Sequence, residues 1–151
     1  MLEFPFEYVL LGTPFSSQNK NSAYTKWRSN ATKSVEDEVF NRTNGRMYIP
    51  TNNLVYVKIA WFSSQPSAGD HPDLDNIIKP LLDAMSGFVI KDDRQVRYIN
   101  VSKVDLNRPG LRIPSQMKEL EDTQEYAKGE VVFIAVYPFD EVKPNELNWW
   151  L

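Results

Sequence analysis

Between His71 and Gln95 the chain reads HPDLDNIIKPLLDAMSGFVIKDDRQ, and Asp73, Asp75, Asp83, Asp92 and Asp93 are crowded among Ile, Leu, Met, Phe and Val. Asp73 and Asp75 bracket Leu74, Lys79 follows Asp75 by four residues and Asp83 follows Lys79 by four. On a helix that spacing stacks Asp75, Lys79 and Asp83 along one side. Carboxylates at a helix start can project past its end, where free backbone N–H groups favour anions. A lysine beside metal-holding carboxylates suits phosphoryl chemistry: the metal activates water, and the ammonium stabilises charge growing on phosphate oxygens. Oxygen donors without Cys or His favour Mg²⁺ or Mn²⁺ over zinc. A plainer reading makes Asp73 a helix cap, Asp75 a favourable first-turn charge and Lys79–Asp83 a surface pair. Against it stands the second cluster. Asp92 and Asp93 lie in a turn that a short strand and an antiparallel return would bring toward the start of the helix, with one of the two facing the site.

Other uses of the same residues fit poorly. A calcium loop starting at Asp73 needs Gly at its sixth position and Glu at its twelfth, where this chain has Ile78 and Ala84. The single histidine, His71, has no nucleophile and acid set around it in the sequence, and a lone loop histidine is expected in solvent.

The elements that must position these groups follow from periodicity. Leu2, Phe4, Phe6, Tyr8 and Leu10 alternate with Glu3, Pro5 and Glu7, which predicts a half-buried strand ending at Gly12, with Pro5 making it an edge strand or one that begins late. Ser22 opens a helix with Tyr24, Trp27, Ala31, Val35 and Val39 along one side, followed by a loop or short hairpin at Asn44-Gly45. Residues 53–62, NLVYVKIAWF, predict a central strand. Residues 73–86 predict a second helix, anchored by Leu74, Ile77, Ile78, Leu81 and Met85, kinked at Pro80 and ended by Gly87. A short strand over 88–90, a strand from Gln95 to Leu106, a solvated stretch with at most one helical turn, and a strand over 130–139 complete the order. The expected architecture is α+β: one mixed sheet of about four to five strands with two main helices packed on it, forming one domain over residues 1–151.

Composition limits the partners. The chain has 151 residues, 42% hydrophobic and 25% charged, enough to bury a core without staples. It has no cysteine, which excludes disulfides, thiolate metal sites and cysteine nucleophiles. The N-terminal segment lacks the basic region of a signal peptide and no apolar run is long enough for a membrane span, so a cytoplasmic protein with no membrane partner is expected. The net charge of −3 is unevenly spread: residues 1–118 carry fifteen Lys/Arg against twelve Asp/Glu, and the acid surplus lies after 118. A nucleic-acid partner therefore remains compatible with the charge. Trp149 and Trp150, in the terminal NELNWWL, are expected to pack on their own domain.

The stretch DLDNIIKPLLDAM followed by KDDRQV resembles the signature of the RusA-type Holliday junction resolvases: D-x-D-N-x-x-K, then D-A, then D-D-x-Q-V. The match is tight over residues 73–96, while the N-terminal TPFSSQNKN only echoes the family's pattern there. The resemblance implies a RusA-like fold and a homodimer that binds four-way DNA by shape. It also implies an acidic Mg²⁺ site in each subunit, Mn²⁺ being able to substitute, with no small-molecule cofactor, and paired symmetric nicks that leave 5′-phosphates. It places the metal-binding and catalytic carboxylates on Asp73, Asp75 and Asp93 and the catalytic lysine on Lys79. Asn76, Asp83 and Asp92 are then supporting residues. Backbone contacts to DNA are expected from Lys20, Lys26, Arg28, Arg94, Arg97 and Lys103, with strand alternation placing Arg97 and Lys103 on one face, the same face as Asp93 if no bulge intervenes. Two other functions fit the same residues: a nuclease of this fold acting on other branched DNA, and a noncatalytic junction binder.

Overall fold

The computed structural model describes residues 2–15, 22–118 and 129–141. Four strands make one mixed sheet: β1 (Phe6–Leu11), β2 (Val55–Ser63), β3 (Val96–Asp105) and β4 (Glu130–Pro138), in the order β1-β4-β2-β3. The described helices are two long ones, α1 (Ser22–Thr43) and α2 (Asp75–Met85), and a single-turn α3 (Ser115–Lys118) that follows β3. The architecture is α+β, as the periodicity predicts, with β1 at an edge and β2 inside.

The strands sort their side chains by alternation. Phe6, Tyr8 and Leu10 of β1, Val57, Ile59 and Trp61 of β2, and Val132, Ile134 and Val136 of β4 share a core with α1 and α2. The opposite face carries Ala60, Phe62, Phe133 and Ala135, covered by Met117 with Leu111 and Ile113 beside it. Helix α1 buries Tyr24, Trp27, Ala31, Val35 and Val39, the predicted stripe. It ends in a turn through Asn44 and Gly45, both at positive φ, rather than in a hairpin.

Helix α2 runs unbroken through Pro80. An interior proline costs roughly 3 kcal/mol, and burying a large apolar side chain returns about 1.5–3 kcal/mol. Ile77, Leu81, Leu82 and Met85 are all buried, so packing outweighs the lost donor.

Three local expectations change. Asp73 does not cap α2: the cap position is Leu74, in helical conformation and with no side-chain cap bond. Residues 88–90 form a turn with isolated bridges from Ile90 to Thr51 and to Ser86, not a strand, because three residues after the positive-φ Gly87 leave too little length for a ladder. Finally, β3 runs parallel to β2, so β2, α2 and β3 form a crossover unit and there is no antiparallel return. The Asp92-Asp93 turn therefore enters beside the body of α2. A register shift at the start of the β2–β3 pairing, where Val55 faces Val96 and Tyr56 faces Tyr98, leaves Arg97 as an extra residue. This irregularity lies between Asp93 and Lys103, so the unbroken alternation that would have put Asp93, Arg97 and Lys103 on one face does not hold.

Candidate active site

Asp75 is the first residue of α2 and Asp73 lies two before it; both side chains are exposed. Neither carboxylate makes a hydrogen bond or ion pair with another described residue. They sit where the first-turn N–H groups and the helix dipole favour negative charge. Asn76 follows, half-buried, its backbone N–H donating to the Asp73 carbonyl at 3.0 Å.

One turn into the helix, Lys79 is held from two sides. Its Nζ donates to Asp93 Oδ2, and Asp83 Oδ1 lies 3.0 Å away on the next turn. These hydrogen bonds, that to Asp93 first and that to Asp83 second, raise the Lys79 pKa above its usual value, so the ammonium keeps its charge at neutral pH. Asp83 in turn lies 3.9 Å from Arg28 Nη2 of α1. Asp83 thus links the lysine to the neighbouring helix.

The turn carrying Asp93 is braced by its neighbours. Asp92 caps the 3₁₀ turn Asp93–Gln95: its Oδ1 accepts from the Arg94 backbone N–H at 2.8 Å and from Arg94 Nε at 3.0 Å. The Arg94 side chain first and its backbone N–H second hold the Asp92 carboxyl down at about 2. Gln95 makes four hydrogen bonds. Its Oε1 accepts from the N–H groups of Lys91 and Asp92, and its Nε2 donates to the carbonyls of Thr51 and Asn53. Gln95 fastens the turn to the segment before β2. The residue figures in the D-D-x-Q-V match, yet sequence alone does not show it tying the turn to that segment, because the two partners of its Nε2 lie more than forty positions away.

The structure therefore brings Lys79, Asp83 and Asp93 together and leaves Asp73 and Asp75 at the helix start. Among the described residues no group of three or more His, Asp or Glu side chains stands ready to hold one metal ion. The donor chemistry fits a hard divalent cation at Asp73 and Asp75, whose oxygens have no other described partner, and Asp93 shares its carboxylate with Lys79.

The basic residues divide. Lys26 and Arg97 are exposed. Arg28 faces Asp83, and Arg94 is engaged by Asp92. Lys20 lies outside the described residues, as do Trp149 and Trp150. Lys103 is not an open cation for a phosphate: its Nζ is 2.7 Å from His71 Nδ1 and 4.2 Å above the Trp61 ring centre. His71 is not idle in solvent either; its side chain is 8% exposed and 3.5 Å from Glu130. Glu130 is a residue the sequence reading passed over, and its one signal is a carboxylate opening an otherwise apolar strand. Among the described residues, no helix is long and apolar enough to cross a membrane.

The family model described as endodeoxyribonuclease RusA matches residues 13–114, which include every element from α1 to β3. No curated protein matches the chain.

Proposed function

Starting from the fact that the chain belongs to the RusA endodeoxyribonuclease family, we propose that it resolves Holliday junctions during recombination and repair by paired symmetric nicks from a homodimer. The family's activity, endonucleolytic cleavage of branched DNA, is the premise; the junction preference, the metal and the residue roles are the proposal. One observation carries it: an ammonium held by Asp83 and Asp93 lies one helical turn from a pair of exposed carboxylates with no described partner. Binding alone would not call for concentrated acid facing a polyanion, which disfavours a noncatalytic junction binder.

Asp73, Asp75 and Asp93 would hold Mg²⁺ or Mn²⁺. When bound, such an ion supplies an activated water and offsets phosphate charge. Lys79 directs its ammonium at the scissile phosphate and neutralises charge gathering on its oxygens. Asp83 keeps that ammonium oriented from below, and Asn76 and Asp92 stabilise the two acidic segments. Lys26, Arg28, Arg94 and Arg97 grip the DNA backbone, aided by Lys20. Cleavage in this scheme leaves a 5′-phosphate and a 3′-hydroxyl, and one domain over residues 1–151 of a cytoplasmic protein carries it.

The decisive measurement compares synthetic four-way junctions, flaps and forks with and without Mg²⁺. Symmetric Mg²⁺-dependent nicks confined to the four-way substrate are expected. Preferential cutting of flaps or forks would replace the junction assignment with a broader branched-DNA nuclease.

A further inference from the structure

Just ahead of Asp73 the chain is tied to the sheet by a polar cluster spanning three neighbouring strands. Glu130, opening β4, is buried, with Oε2 accepting from Trp61 Nε1 at 2.6 Å and Oε1 accepting from Ser63 Oγ at 2.8 Å. Trp61 and Ser63 belong to β2, where Ser63 is paired with Glu130 and Trp61 with Lys103 of β3. The His71 ring lies 4.8 Å from that of Trp61, between the Glu130 carboxylate and the Lys103 ammonium.

Hydrogen-bond chemistry fixes the histidine. A lysine ammonium can only donate, so His71 Nδ1 must accept and the ring proton sits on Nε2, directed at Glu130. The imidazole thus lies between a cation and an anion. Glu130 is buried, so losing the imidazole beside it would leave its carboxylate with less polar company, and the histidine couples that carboxylate to the half-buried Lys103.

The loop this cluster restrains has few other supports. Its beginning is tied by Ser64 N to the Gly129 carbonyl and by Asn107 Nδ2 to the Ser64 carbonyl. From there to His71 its backbone bonds are local, Ala68 to Gln65 and His71 to Ala68, and Leu74 has no side-chain cap bond.

We infer that Glu130, His71 and Lys103 form a positioning relay that pins the loop to the sheet and thereby sets the placement of Asp73 and Asp75 for a divalent cation. The inference rests on the nuclease reading, and it moves Lys103 from a DNA contact to a support of the metal ligands. His71 is a positioning residue here; it reaches the cation only through the chain it anchors.

The test uses the full chain. Mn²⁺ binding without DNA is measured by electron paramagnetic resonance, and the Mg²⁺ concentration for half-maximal junction cleavage is measured alongside. His71→Ala should weaken Mn²⁺ binding and raise the Mg²⁺ midpoint by about 10-fold, with junction binding in EDTA unchanged. His71→Gln, whose carboxamide oxygen can accept from Lys103 and whose NH₂ can donate to Glu130, should recover most of both. Should His71→Ala fail to fold, Lys103→Met, which keeps the apolar stem over Trp61, carries the same expectation. Wild-type Mn²⁺ affinity in the folded His71→Ala or Lys103→Met chain overturns the relay alone. Equal defects in the Gln and Ala variants overturn it too. A wild-type chain that neither binds Mn²⁺ nor cuts DNA overturns the nuclease reading and the relay with it.

Discussion

The two acidic segments of the site are built in opposite ways. Asp93 sits in a turn whose neighbours are held by direct bonds: Asp92 caps it, Gln95 makes four hydrogen bonds around it, and Lys79 takes the Asp93 carboxylate itself. Asp73 and Asp75 have no described side-chain partner, and their order is borrowed from the buried end of α2 and from the anchored loop before it. Groups already engaged by hydrogen bonds are fixed in direction but must be released to act. Groups left open are available to an incoming cation, yet depend on distant packing for their aim. The contrast is between a side whose carboxylates hold the Lys79 ammonium and a side whose carboxylates have no described partner.

Substitutions can break this contrast in order of expected size. Asp75→Asn should bring nicking down to background while junction binding persists or tightens, since one charge facing the phosphates is gone; a gel shift beside a cleavage assay checks both, and retained cleavage would remove Asp75 from the mechanism. Lys79→Ala should lower the cleavage rate by about 10²–10³-fold with thermal unfolding little changed, the usual loss when a charge-stabilising donor is removed from a reaction site. It should also free the Asp93 carboxylate, so Mn²⁺ binding should hold or improve even as turnover falls.

Gln95→Ala sharpens the difference between the two sides. Four hydrogen bonds disappear, at a net cost of about 2–4 kcal/mol, and the turn under Asp93 loosens while the Asp73-Asp75 segment keeps its own supports. Denaturant unfolding should show the loss, and hydrogen exchange should rise at residues 91–95 but not at 73–76. Equal changes in both segments would mean they are held as one unit. The smallest effect concerns Asp92. A carboxyl held at about 2 contributes stability that is complete above its unfolded value, near 4, and is lost as pH falls through about 2. Asp92→Asn should therefore lower stability slightly and by the same amount from neutrality down to about pH 4, and the difference from the wild type should shrink to nothing as pH falls from about 4 to about 2, as pH-dependent denaturant unfolding of the two chains would show.

Much of this was written in local pattern. The stripe Tyr24, Trp27, Ala31, Val35 and Val39 marks α1, and the Ile77–Leu81–Met85 spacing marks the buried side of α2 and, by exclusion, the side that carries Asp75, Lys79 and Asp83. The i, i+4 pair of Lys79 and Asp83 is likewise a consequence of helix pitch. These features depend on neighbours within a turn or two, so the order of residues determines them.

What depends on long-range pairing was decided by the tertiary structure. Sequence periodicity is the same for a strand that returns antiparallel and one that crosses over parallel, so it could not tell that β3 would run alongside β2 and deliver Asp93 to Lys79. Nor does it foresee the extra residue at Arg97, or that Lys103 would lie against Trp61 and His71. The buried Glu130 and the half-buried Lys103 both meet a histidine that lies more than thirty positions away from either, a contact that no local pattern encodes. Amino-acid order determined which acidic and basic groups share a helix side; only the packing of strands, helix and loop decided which of them are paired and which are left without a described partner.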